Sequence, residues 1–143
     1  MRGEEILKVA LSLENAPTPL EAERLFGLVF DYPEPTERGD GVAPIGDGFL
    51  VRAELGMDLW SRAGLLILRA RTSPPVRRAD LGLEQYGAAK TRRGPEGVTL
   101  REFAVRNLVL TFELDAATEA LRNIYLEWPA LRGSFPFPLD DRI

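Results

Sequence analysis

The chain has 143 residues, 45% of them hydrophobic and 28% charged. That suits one globular domain, residues 1–143, and argues against disorder, collagen-like repeat or coiled coil. It holds neither Cys nor His, which excludes thiol nucleophiles, disulfides, Cys/His zinc sites and Ser-His-Asp triads. The net charge is −4 and uneven: twelve acids face five bases in residues 1–60, and ten acids face thirteen bases in 61–143.

In chain order, Met1-Arg2-Gly3-Glu4-Glu5 turns acidic at once, and no run of 18 apolar residues exists anywhere. Neither a signal peptide nor a membrane span is expected, and the expected location is cytoplasmic. Residues 4–14 carry Ile6, Val9, Ala10 and Leu13 at helical spacing, with Leu7 and Leu11 widening the stripe. Thr18-Pro19-Leu20-Glu21 is a capping box with Pro at the first helical position, and Gly27-Leu28 reads as a left-handed cap with its hydrophobic contact. The second helix therefore lies between these signals.

Residues 31–48 alternate Pro with acids and are expected to be a loop, with Gly39-Asp40-Gly41 and Gly46-Asp47-Gly48 as turns around a short extended segment, 42–45. A strand follows at 49–55, with Phe49, Val51, Ala53 and Leu55 on one side and Leu50, Arg52 and Glu54 on the other. Residues 65–71 begin apolar on both faces, which predicts an interior strand. Residues 76–96 are broken by Gly82, Gly87, Gly94 and Pro95 and read as a long basic loop with one helical turn near 81–85. Strands are expected at 98–105, at 108–114 with Leu108, Leu110, Phe112 and Leu114 inward, and at 123–128 with Ile124, Leu126 and Trp128 on one face. Past Pro129, Phe135, Phe137 and Leu139 read as an apolar strap. Helices first and strands after give an α+β fold: two N-terminal helices packed on one face of a mostly antiparallel sheet of five to six strands.

Chemical motifs are sparse. Phosphate-cradling glycine motifs are absent, and the two Gly-Asp-Gly turns lack the remaining ligands of a calcium loop. Glu54, Glu102, Glu113 and Glu127 each fall on the apparent outward face of a strand or in a strand of unsettled register, and they read as solvated partners of arginines rather than as a catalytic carboxylate pair. Arg77, Arg78, Lys90, Arg92 and Arg93 have a single aromatic among them, Tyr86, which is too few for a nucleic-acid stacking platform. No catalytic, cofactor-binding or metal-ligating residue is assigned, and no cofactor is expected.

The acidic segment is the candidate site. Asp31, Tyr32, Glu34, Glu37 and Asp40, stiffened by Pro33 and Pro35, combine charge for fast encounter with an aromatic anchor. Small, acidic, catalytically bare α+β domains of this type resemble bacterial immunity proteins, which inhibit a toxin by masking its site. The resemblance rests on type and on no motif. It implies a non-enzymatic, stoichiometric inhibitor of a basic protein partner such as a toxin domain. Two other readings stand beside it: a small-ligand-binding domain or His-free carboxylate enzyme with a pocket between helices and sheet, and a homo-oligomeric structural subunit joined through sheet edges.

Overall fold

The computed structural model describes residues 3–31, 41–46, 48–58, 61 and 63–130. Helix α1 (Gly3–Leu11) carries Glu4 and Glu5 in its first turn, where the helix dipole favours acids. It stops short of the expected residue 14 because its end tightens: the Ser12 and Leu13 amides donate to Val9 O and Ala10 O, three residues back. The Ser12 hydroxyl also donates to Val9 O. Helix α2 (Pro19–Phe26) is bounded as its caps dictate. The Thr18 amide donates to Glu21 Oε1 at 2.9 Å and the Glu21 amide donates to Thr18 Oγ1 at 3.2 Å. Gly27 ends the helix at φ 66°, a left-handed conformation that a Cβ would penalise.

Seven strands follow: β1 (Gly41–Pro44), β2 (Leu50–Met57), β3 (Gly64–Ala70), β4 (Lys90–Arg93), β5 (Val98–Val105), β6 (Leu108–Asp115) and β7 (Leu121–Trp128). They form one antiparallel sheet in the order β1-β2-β3-β7-β6-β5-β4. Two meanders, β1–β3 and β4–β7, are thus zipped together where β7 pairs with β3. The fold is α+β as expected, but with seven strands rather than five to six. The extra one is β4, Lys-Thr-Arg-Arg, in the stretch expected to be loop. All four of its residues are exposed, so it carries no alternation of apolar and polar side chains to betray it. Before it, two 3-10 turns (Arg78–Asp80 and Leu83–Tyr86) replace the single helical turn expected.

Strand register assigns the faces. Ala53, Leu55, Leu66, Leu68, Phe103, Leu110, Phe112, Leu114, Ile124, Leu126 and Trp128 point one way and are buried. They share one hydrophobic cluster with Ile6, Leu7 and Ala10 of α1 and Ala22 and Phe26 of α2. The inward residues predicted for β6 and β7 are all buried. The prediction for β2 is corrected at its start: a register shift between Leu50 and Arg52 bulges Val51 outward, 40% exposed, and turns Leu50 into the core. Trp128 anchors the helical end, donating from Nε1 to Leu13 O at 3.2 Å. Tyr86 docks the second 3-10 turn on the sheet, its ring 5.6 Å from Phe103 and 5.7 Å from Phe112. Among the described residues no helix is long and apolar enough to cross a membrane.

Candidate functional site

The opposite face of the sheet is built by the alternate residues. Across β3, β7, β6 and β5 these include Leu65, Ile67 and Arg69; Asn123, Tyr125 and Glu127; Val109, Thr111 and Glu113; Leu100, Glu102 and Ala104. The four carboxylates Glu54, Glu102, Glu113 and Glu127 all fall here, Glu102 by its pairing with Thr111. Glu54 pairs with Arg52, and Glu102 with Arg92 at 2.6 Å. Glu113 and Glu127 have no cation partner among the described residues.

Glu113 sits at the centre of a hydrogen-bonded group. Its Oε1 accepts from Asn123 Nδ2 at 2.7 Å and from the Tyr125 hydroxyl at 2.9 Å. Burial first, then the hydrogen bond to Glu113 and the charge of that carboxylate, push the Tyr125 phenol up to about 12. The phenol therefore stays protonated and donating across the physiological range. Beside it, Thr111 is the single buried polar residue of the described chain, 5% exposed. Its side chain joins no hydrogen bond there.

These residues line a shallow cleft of about 270 Å³, with Thr111, Glu113, Tyr125 and Glu127 along β6–β7 and Leu100, Arg92 and Pro95 on the β4–β5 side. A second, more apolar hollow of about 250 Å³ on the same side is lined by Val42, Glu54, Leu65 and Ile67 among others. Ile67 stands directly across from Tyr125, so the two hollows are neighbours.

Of the residues expected to bind a partner, Asp31 is described. It is exposed and bridges β1, exchanging backbone hydrogen bonds with Val42 at 2.7 and 3.0 Å. That bridge sets Asp31 on the sheet's edge next to the Val42 hollow. Tyr32, Glu34, Glu37 and Asp40 lie outside the described residues, as does the apolar strap at 135–139. The group at Thr111, Glu113 and Tyr125 was not singled out from sequence. Its assembly depends on the β6–β7 register, which no local pattern encodes. Trp128 is core, 2% exposed, and is no interface residue.

A third concavity, about 380 Å³, lies between α1 and the 3-10 turns over Phe112. Its floor is apolar, with Leu7, Leu11, Phe49, Leu81 and Tyr86, and its carboxylates Glu4 and Asp80 are both exposed rather than inward. Asp80 Oδ2 already accepts from the Arg77 amide at 3.3 Å. Among the described residues that line it, the charged groups Glu4, Lys8 and Asp80 are all exposed, so none of them is held over a buried reaction site. Among the described residues no group of three or more acidic side chains is placed to hold a metal. No protein-family model matches the chain, and neither a curated protein nor a solved structure does.

Proposed function

We infer that this protein is a cytoplasmic, non-enzymatic binding protein that occupies a basic partner in one-to-one stoichiometry, in the manner of an immunity protein masking a toxin domain. In this reading α1 and α2 cover one face of the sheet, and the other face, with Asp31 at its edge, meets the partner. The observation that carries it is the make-up of that second face. It joins two carboxylates without a cation partner among the described residues, a hydrogen-bonded tyrosine, the cleft-lining hydroxyl of Thr111 and the apolar side chains Leu65, Ile67 and Val109. Such a mixture of aromatic anchor, apolar contact and uncompensated charge is the make-up of a binding patch rather than of a plain solvated sheet.

Self-association through sheet edges is the weaker reading. The β4 edge exposes Lys90, Arg92 and Arg93, and charged side chains on an edge strand oppose edge-to-edge pairing. The decisive experiment mixes the chain with the product of the adjacent reading frame and measures mass by light scattering. A one-to-one complex whose association slows with salt supports the reading. No complex at micromolar concentration and low salt contradicts it. Replacing Glu34, Glu37 and Asp40 by Lys is expected to slow association and flatten its salt dependence.

A further inference from the structure

We propose that the cleft over Thr111 and Glu113 is a receptor for one arginine side chain of the partner. The proposal rests on the partner-binding reading above and names the chemistry of its central contact.

Three features of the cleft converge on a guanidinium. The first is a fixed acceptor. Asn123 and the Tyr125 hydroxyl both donate to Glu113 Oε1, which locks the carboxylate in place. Oε2 is left without a hydrogen bond or ion pair among the described residues. A carboxylate oriented in advance loses little freedom when a cation arrives.

The second feature is independent of charge. Thr111 is 5% exposed as a residue and lines the cleft, and its hydroxyl has no hydrogen-bond partner among the described residues. That hydroxyl is not among the fully buried unpartnered atoms, so it is open to the cleft and free to bond a ligand there. One step along β6 from Glu113 on the same face, it offers a second acceptor to a ligand that donates from several N–H groups at once. Arginine presents five such donors in a rigid fork, which suits it to two neighbouring acceptors better than the ammonium of lysine.

The third feature is shape. Tyr125, Leu100 and Pro95 give the cleft apolar walls, and a guanidinium stacks on such surfaces because it is weakly hydrated. At about 270 Å³ the hollow falls below the range of ordinary small-molecule pockets and suits a single side chain.

The surrounding charges fit the same occupant. Arg92, on the rim, is engaged by Glu102. Glu127, on the far side of the Thr111–Tyr125 pair, adds negative potential. Against these, Arg69 on β3, opposite Asn123, is a cation near enough to be felt at Tyr125. A hard metal ion is a poor alternative, because two separated carboxylates fall well short of its six to eight oxygen ligands.

The test is a titration followed by NMR at the Thr111 and Leu100 methyls and the Tyr125 ring, using acetyl-Gly-Arg-Gly-amide. Saturable shifts at these three residues are expected. Affinity should fall about tenfold or more for the citrulline peptide, which keeps the shape and loses the charge, and several-fold for the lysine peptide. Glu113→Gln should weaken the arginine peptide about tenfold while amide shifts on the helices stay in place. If that variant does not fold, Thr111→Val serves instead, with the same direction expected. Equal binding of arginine and citrulline peptides, or no saturable shift at the cleft, overturns the proposal. Free L-arginine binding about tenfold more tightly than the peptide also overturns it, since that marks an amino-acid site. A one-to-one complex with the partner that leaves Thr111 unmoved sinks the arginine cleft alone, whereas the absence of any complex sinks the partner reading itself.

Discussion

The Tyr125 hydroxyl donates to Glu113 Oε1 at 2.9 Å, one diagonal step across the β6–β7 pair, since Tyr125 faces Thr111 and Glu113 faces Asn123. This contact joins the titration of one residue to the charge of the other. Replacing Tyr125 by Phe should remove from the tyrosinate absorbance curve the component that titrates at about 12. Glu113→Gln should move that component down towards the ordinary tyrosine value of 10.0, because the charge and the accepting carboxylate both vanish while burial persists. Because the folded phenol titrates above its unfolded value, its contribution to stability is full below about pH 10 and is lost as pH rises through about 12. An unchanged absorbance curve in Glu113→Gln would contradict the coupling.

A second pair ties the helical segment to the sheet. A Cβ on Gly64 would stand 2.3 Å from the Cβ of Ala16, far inside contact distance. Gly64→Ala should therefore destabilise the fold by about 1–3 kcal/mol, the usual cost of overpacking. Adding Ala16→Gly removes the opposing methyl and should recover most of the loss, as a positive coupling in a double-mutant cycle. Urea unfolding of the four proteins checks it, and additive losses would contradict the contact.

The capping box of α2 is a local, separable contribution. Thr18→Ala leaves the Glu21 amide without its acceptor and should cost about 1 kcal/mol. Thr18→Ser keeps the acceptor and should cost much less. Equal losses in the two variants, measured by denaturant midpoint at constant slope, would show that Thr18 acts through packing instead.

At the β6–β7 turn, Asp115 accepts from the Ala117 and Thr118 amides at 2.9 Å and pairs with Arg122 at 2.7 Å. The Thr118 amide, then Arg122, then the Ala117 amide hold its carboxyl down at about 2, from 3.8. Because the folded carboxyl titrates below its unfolded value, stability from this group is complete above about pH 4 and is lost as pH falls through about 2. Asp115→Asn should flatten the acid limb of the stability profile in that window and leave the neutral-to-alkaline dependence unchanged.

What the sequence reveals follows from how local each signal is. The ends of α2 are written in adjacent residues, Thr18 to Glu21 and Gly27, and they are found where expected. The inward positions of β6 and β7 are legible because a half-buried strand must alternate, as Leu108 to Leu114 and Ile124 to Trp128 do. β4 is illegible because its four residues bury nothing and are held by pairing with Thr99–Glu102, a relation between segments. The turn of Leu50 into the core is hidden for a similar reason, since a single bulged residue reverses the alternation upstream. The candidate site divides in the same way. The outward placement of Glu113 and Glu127 can be read from each strand alone. The meeting of Glu113 with Tyr125 beside the Thr111 hydroxyl requires knowing which strands are neighbours.

The central claim is that the second face of the sheet meets a basic protein. Site-specific photocross-linking in the native cell tests it most directly, with the photoreactive residue at Val109 on that face, 42% exposed and opposite Glu127, or at Leu20 on α2, 66% exposed. The account predicts one cross-linked species from position 109, a protein with a basic surface, and none from position 20. Equal cross-linking from both positions, or an acidic partner held at 109, would contradict it.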